Sequence, residues 1–167
     1  DARAPFFTVQ DEKRLLYELS QMSNKNHLRL TKLALTTGFR RSELLSLTWR
    51  NIDLKKRVLY IHRKNCAAID DSSVLRLVPL PEKAEKILEE SNERNGKVIK
   101  LSKGAARNGF DKARKRAGLQ TLRFHDLRHI AISRMWSSGM NALEISACSG
   151  HRDIKMLMRY SHYQLTY

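Results

Sequence analysis

Apolar residues recur at helical spacing in the first part of the chain. Leu15, Leu16, Leu19 and Met22 lie three or four positions apart, the period of one helix face. Thr8 precedes them, and Asp11 follows three residues later, which predicts an N-cap with a carboxylate returning a bond. Ser23-Asn24-Lys25-Asn26 breaks this helix, and a second one is predicted from about His27 to Thr36, stopped by Gly38. Ser42 is expected to cap a short helix through Leu47, with Glu43 in its first turn, where the helix dipole favours a carboxylate. Val58, Tyr60 and the run Val74-Leu75-Arg76-Leu77-Val78 then read as strands, with the polar stretch 64–73 as the loop or hairpin tip between them. Pro81 suits the first position of a helix from Glu82 to about Arg94, closed by Asn95-Gly96. Further helices are predicted near 104–117, 126–138, 141–149 and 153–159, the last three separated by Ser137-Ser138-Gly139 and Ser149-Gly150. Leu127, Ala131 and Met135, with Ile132 and Trp136 beside them, form a stripe expected to be core packing. The pattern is that of a mostly helical domain with a small antiparallel sheet inserted after the third helix, with no internal repeat.

Composition narrows the class. At 167 residues one domain is expected, and 41% hydrophobic with 29% charged residues is a globular balance. No apolar run reaches the roughly 18 residues of a membrane-spanning helix. Asp1-Ala2-Arg3-Ala4-Pro5 has no apolar signal core, and Cys66 and Cys148 are too few for a disulfide scaffold, so a reduced cytoplasmic setting is expected. Cys148 reads as buried and inert, and nothing marks Cys66 as catalytic. The net charge of +15 points to a polyanion, with nucleic acid the first candidate. That charge is concentrated: residues 94–134 carry twelve basic side chains and only two acidic ones, Asp111 and Asp126. A segment such as Lys112-Ala113-Arg114-Lys115-Arg116 taken singly is equally a solvated helix face, but the block as a whole predicts salt-sensitive phosphate binding.

Four clusters could carry chemistry: residues 37–43 with Arg40, Arg41 and Glu43; His62-Arg63-Lys64-Asn65; His125-Asp126-Leu127-Arg128-His129; and Gly150-His151 followed nine residues on by Tyr160. They supply guanidinium forks for phosphate oxygens, an amine or imidazoles for proton transfer, and a phenol that can serve as nucleophile. Together these are the parts for attacking a phosphodiester without a metal. Three other readings compete. His125 and His129, four residues apart, could share a zinc ion, but Arg128 would sit beside the metal and no third ligand is evident. A magnesium nuclease would need an acidic cluster that is lacking here. Residues 142–160 could form a helix-turn-helix regulator with Arg152, Lys155 and Arg159 on DNA and Tyr160 as packing. A regulator of that kind has no need of Arg40, Lys64, His125 and Arg128 at these spacings.

As a set, these motifs resemble the catalytic domain of tyrosine recombinases, the phage integrase and Xer-type site-specific recombinases, from about Phe7 to Tyr163. Thr37-Gly38-Phe39-Arg40-Arg41-Ser42-Glu43 resembles the first box, His125-Asp126-Leu127-Arg128-His129 the second, and Ser149-Gly150-His151 with Met158-Arg159-Tyr160-Ser161-His162 the closing one. The resemblance implies an α+β, mostly α-helical fold with a small three-stranded antiparallel sheet. It implies that Arg40 and Arg128 clamp the scissile phosphate and that His151 adds a hydrogen bond. Lys64, on the hairpin turn, would protonate the leaving 5′-oxygen, and His125 would assist proton removal from Tyr160. Tyr160 would be the nucleophile, forming a 3′-phosphotyrosine link that needs no cofactor; its spacing from His151 favours it over Tyr163 and Tyr167. Glu43 would support Arg40, and His129 would be a packing or outer residue. Arg41, Lys103, Arg107, Arg114, Arg123 and Arg152 are the candidates for further DNA contacts. The implied partner is double-stranded DNA, bound by a homo-tetramer of the full-length protein. Residues 1–167 are expected to be a single catalytic domain from a longer integrase, without its N-terminal DNA-clamping domain and monomeric off DNA. The Tyr160 segment is then expected to be mobile and away from Arg40 and Arg128. The setting would be the cytoplasm of a bacterium, the gene bacterial or phage-borne, and the protein associated with the nucleoid.

Overall fold

The computed structural model describes residues 7–62, 75–151 and 153–160. Its elements run α1 (Val9–Ser20), α2 (Asn26–Thr37), α3 (Arg41–Ser46), a 3-10 turn (Trp49–Asn51), β1 (Ile52–Asp53), β2 (Val58–His62), β3 (Leu75–Pro79), α4 (Glu82–Glu89), α5 (Lys103–Arg116), α6 (Phe124–Ser137), α7 (Ala142–Ser149) and α8 (Ile154–Leu157). The three strands form one antiparallel sheet in the order β1-β2-β3. This is the mostly helical architecture with a small sheet that the periodicity predicts.

The local signals at the start of the chain act as read. The Thr8 hydroxyl accepts from the Asp11 amide, and the Asp11 carboxylate accepts from the Thr8 amide. Gly38 closes α2 at φ +70°, a left-handed turn that costs glycine little, and the chain leaves it extended through Arg40. Three expectations need correction. Ser42 does not cap α3: the helix begins at Arg41, Arg40 is the cap residue without a side-chain cap bond, and Ser42 already lies inside the first turn. Pro81 is likewise the cap residue rather than the first helical one. The following helix ends at Glu89, because beyond the buried Leu88 the sequence Ser91-Asn92-Glu93-Arg94 offers nothing to bury.

The central element is α6. Leu127, Ile130, Ala131, Ile132, Met135 and Trp136 are all buried, so this helix is apolar almost all round and is wrapped by its neighbours. It packs on α2 and touches α7, while α7 in turn meets β3 and α8. Truncating Leu127, which is fully buried, to Ala would cost about 2–5 kcal/mol. Burial fixes the axial rotation of α6, and with it the direction in which its polar first turns face. Among the described residues no helix is long and apolar enough to cross a membrane.

Candidate active site

The polar residues of α3, α6, β3 and the end of α7 converge. Arg128 is only 3% exposed, although it is charged. Its Nη1 donates to the Gly38 carbonyl at 2.8 Å, so the left-handed glycine that ends α2 also presents the oxygen that holds Arg128. Its Nη2 lies 3.2 Å from His151 Nδ1. Burial first, then the nearby Arg40 cation, push the Arg128 pKa down to about 10, which still leaves it charged at neutral pH.

The contacts of His151 settle its tautomer. Arg128 can only donate, so His151 Nδ1 accepts; the Ser149 hydroxyl also lies 2.8 Å from the same nitrogen. The ring proton therefore sits on Nε2. Burial, followed by Arg128 and Arg40, pushes the His151 pKa down to about 4. At neutral pH it is an uncharged imidazole with a fixed Nε2–H donor. The fully buried Ser149 and the bond from the Ser146 hydroxyl to the His151 carbonyl hold this end of α7 in place.

Arg40 is half-buried and bonds Glu43 Oε1 through Nη1 at 3.0 Å. The other oxygen of the buried Glu43 carboxylate accepts from Arg76 at 2.9 Å. Beside Arg40 opens a cleft of about 530 Å³ whose lining includes Arg41, Lys97, Lys103 and His125. Arg41 also lies over the Phe124 ring at 5.8 Å. His125 is exposed, its pKa lowered by partial burial and then by Arg128 and Arg40.

Tyr160 is 3% exposed and seated within the domain, with its hydroxyl hydrogen-bonded to His129 Nδ1 and the two rings stacked at 5.8 Å. Its ring thus packs on the residue that follows Arg128 in α6. The expectation that this tyrosine stands apart from Arg128 is thus corrected. The physical reason is local anchoring: Leu157 is fully buried and its carbonyl accepts from Trp136 Nε1 at 3.1 Å, which ties α8 to α6. His125 lies edge-on to His129, 4.9 Å between ring centres. Burial and the neighbouring His125 lower the His129 pKa, so it is neutral at pH 7 and able to accept a proton.

The other sequence candidates divide. Lys64 and Arg152 lie outside the described residues, as do Tyr163 and Tyr167. Lys103 and Arg107 are exposed on α5. Arg114 is tied to its own fold, bonding Asp111 at 2.9 Å and donating to the Gln120 carbonyl. Arg123 is exposed but leans on Asp126 at the start of α6. The α8 helix spans four residues, a single turn, which is short for a recognition helix. Among the described residues no three His, Cys, Asp or Glu side chains gather into a metal-sized cluster. Cys148 is buried, and burial raises its thiol pKa, as expected of an inert packing residue. Sequence reasoning passed over Arg76, Lys97 and the Tyr160 contact of His129. For Arg76 a signal existed: one arginine interrupts an otherwise apolar strand.

A cationic recess that holds two arginines, a neutral histidine donor and a sheltered tyrosine suits a domain that grips one phosphodiester. The matches to known proteins agree. The model of the phage integrase family matches residues 5–166. The shufflon-specific DNA recombinase of Escherichia coli is 36% identical over 157 residues, which cover 92% of this chain and 39% of that protein. The integrase of Salmonella phage P22 is 28% identical, over 96% of this chain and 44% of its own. Among solved structures, the catalytic domain of bacteriophage HP1 integrase superposes with a TM-score of 0.75 at 25% identity, covering 95% of this chain and 87% of that one. The chain belongs to the phage integrase family, and its fold is that of the tyrosine-recombinase catalytic domain. It spans less than half the length of the curated relatives it matches.

Proposed function

We propose that this domain cuts and rejoins duplex DNA one strand at a time through a 3′-phosphotyrosine link, as the catalytic part of a site-specific recombinase. The observation that carries this reading is electrostatic. Among the described residues, Arg40 and Arg76 share one carboxylate, Glu43, which also acts on the nearby Arg128, beside the neutral His151, so three guanidiniums meet one negative charge. A phosphodiester carries one negative charge and its pentavalent transition state two, so the recess favours the transition state over the bound substrate.

In the step itself, Tyr160 Oη bonds to phosphorus as the bond from phosphorus to the 5′-oxygen breaks. The phenolic proton passes to His129 Nδ1, the neutral acceptor already in contact with it. Arg40, Arg128 and the Nε2–H of His151 bind the non-bridging oxygens. Lys64 protonates the departing 5′-oxygen, and His125, at the edge of the cleft, faces the DNA backbone. Rejoining is the same step reversed with a 5′-hydroxyl from another strand, so the bond energy is kept and no cofactor is required. Arg41, Lys103 and Arg107 bind neighbouring phosphates. The full-length protein works on the nucleoid as a tetramer on DNA, and sedimentation of this chain alone is expected to give a monomer.

The test is covalent trapping on a nicked suicide duplex, followed by peptide mapping. The expected result is an adduct on Tyr160 that forms in EDTA, is lost in Tyr160→Phe and falls further in His129→Ala than in His125→Ala. An adduct on another residue, or none from the unaltered chain, would overturn the reading.

A further inference from the structure

The Arg76 side chain is only 11% exposed, and it sits where an arginine is not expected. Along β3 the side chains alternate: Val78 is buried and Leu77 is 58% exposed. Arg76 shares the inward face with Val78 and lies opposite the buried Ile61 of β2. The strand therefore turns a charge inward and a leucine outward, the reverse of the usual arrangement, and such an inversion calls for a reason.

We propose that Arg76 is a positioning residue that sets Arg40 and His151 with one guanidinium, by joining the Glu43 carboxylate to the end of α7. Its Nη2 donates to Glu43 Oε2 at 2.9 Å and to the Cys148 carbonyl at 3.2 Å. The other Glu43 oxygen holds Arg40, so the carboxylate is fixed from both sides. The Cys148 carbonyl belongs to the last turn of α7, just ahead of Gly150 and His151. The plane of Arg76 lies over Phe39, 5.5 Å from the ring centre, which sets its orientation. Gly150 leaves room for it: a Cβ there would come within 2.1 Å of Arg76 Nη1, and the backbone is at φ +75°. The Arg76 Nε is buried with no hydrogen-bond partner among the described residues, a cost that stability alone gives no reason to accept. A lysine could keep the charge and donate from one nitrogen, but it has no flat face to stack on Phe39 and hold that nitrogen between the two acceptors. The cation also adds to the positive field that keeps His151 neutral.

This inference rests on the recombinase reading for its kinetic test. The experiment compares the unaltered chain with Arg76→Lys and Arg76→Gln in single-turnover adduct formation on the nicked duplex at saturating DNA. Melting temperature and DNA affinity are measured on the same proteins. In both variants the adduct rate is expected to fall at least tenfold, with DNA affinity within twofold and a folded protein at the assay temperature. The double variant Arg76→Gln/Glu43→Gln should be no slower than the slower single variant, because both act on Arg40 by one route. The His151 ring resonance should titrate at higher pH in Arg76→Gln than in the unaltered chain, a readout independent of DNA cleavage. Adduct rates within twofold of the unaltered chain, additive losses in the double variant, or an unmoved His151 titration would each overturn the proposal. If the unaltered chain forms no adduct, the recombinase reading fails, and the His151 titration still decides the role of Arg76. If Arg76→Gln does not fold, Arg76→Lys carries the kinetic test and the uncharged Arg76→Met, closer in length, carries the titration.

Discussion

Arginine does opposite things on α5 and around the first turns of α6. On α5 the cations Lys103, Arg107, Lys112, Lys115 and Arg116 are exposed, and the buried side is made of Ala106, Gly109, Phe110 and Ala113. On α6 and its neighbours, Arg128 and Arg76 are buried, and their positions are dictated by a glycine carbonyl, a carboxylate and a helix end. Charge in the first region can be moved a few ångströms without consequence, because water solvates it and affinity follows the number of phosphates neutralised. Charge in the second region has been removed from water, and only fixed geometry makes that tolerable. In the proposed function, the first region determines whether the protein holds DNA, and the second where on a phosphate it acts.

The largest expected difference comes from the buried side. Arg128→Lys loses the fork that spans Gly38 and His151, and single-turnover cleavage should fall by about a hundredfold or more, with DNA affinity nearly kept. A loss of binding in proportion to the loss of rate would erase the distinction between the regions. On the exposed side, Arg107→Ala with Lys115→Ala should lower the slope of log affinity against log salt by about two, while the cleavage rate at saturating DNA stays unchanged. Arg114→Ala should alter the slope less than Arg107→Ala does, because its guanidinium is already held by Asp111 and the Gln120 carbonyl.

A smaller effect should appear with pH. His151 has its folded pKa pushed down to about 4, below the ordinary value of 6.5. The unfolded chain thus binds the proton more tightly, so stability is fully present above pH 6.5 and is lost as pH falls toward 4. In urea unfolding, His151→Gln should flatten that slope by on the order of 1 kcal/mol, allowing for partial exposure. An unchanged slope would assign the acid sensitivity to the other lowered histidines, His27, His125 and His129. The smallest effect is expected far from both regions: Thr8→Ala should cost about 1 kcal/mol of stability and leave DNA affinity and cleavage unaltered.

The helices that end in strong local signals were legible to within one or two residues. Thr8 with Asp11, and Gly38, act through neighbours three or four positions away, which sequence periodicity samples directly. The α4 helix was read too long because charged residues such as Glu89 and Arg94 carry good helix propensity without saying where burial stops. Of the site, the sequence offered four candidate clusters, and the resemblance to the family's boxes singled out Arg40, Arg128, His151 and Tyr160 within them. The contact of His129 with Tyr160 and the span of Arg76 from Glu43 to Cys148 join residues 31, 33 and 72 positions apart. Such contacts leave no periodic trace.

By itself, then, the sequence determined the helical order, the core stripe of α6, the +15 charge and the residue types available for phosphate chemistry. Those follow from local propensity and from the energetics of burying apolar surface, which act on short stretches of chain. Only the tertiary structure decided which histidine meets the tyrosine, which tautomer His151 adopts, and that a strand arginine lies beneath Arg40. Each of these depends on which donor faces which acceptor once water has been excluded, and that is set by the packing of α6 against α2, α7 and α8 rather than by any one segment.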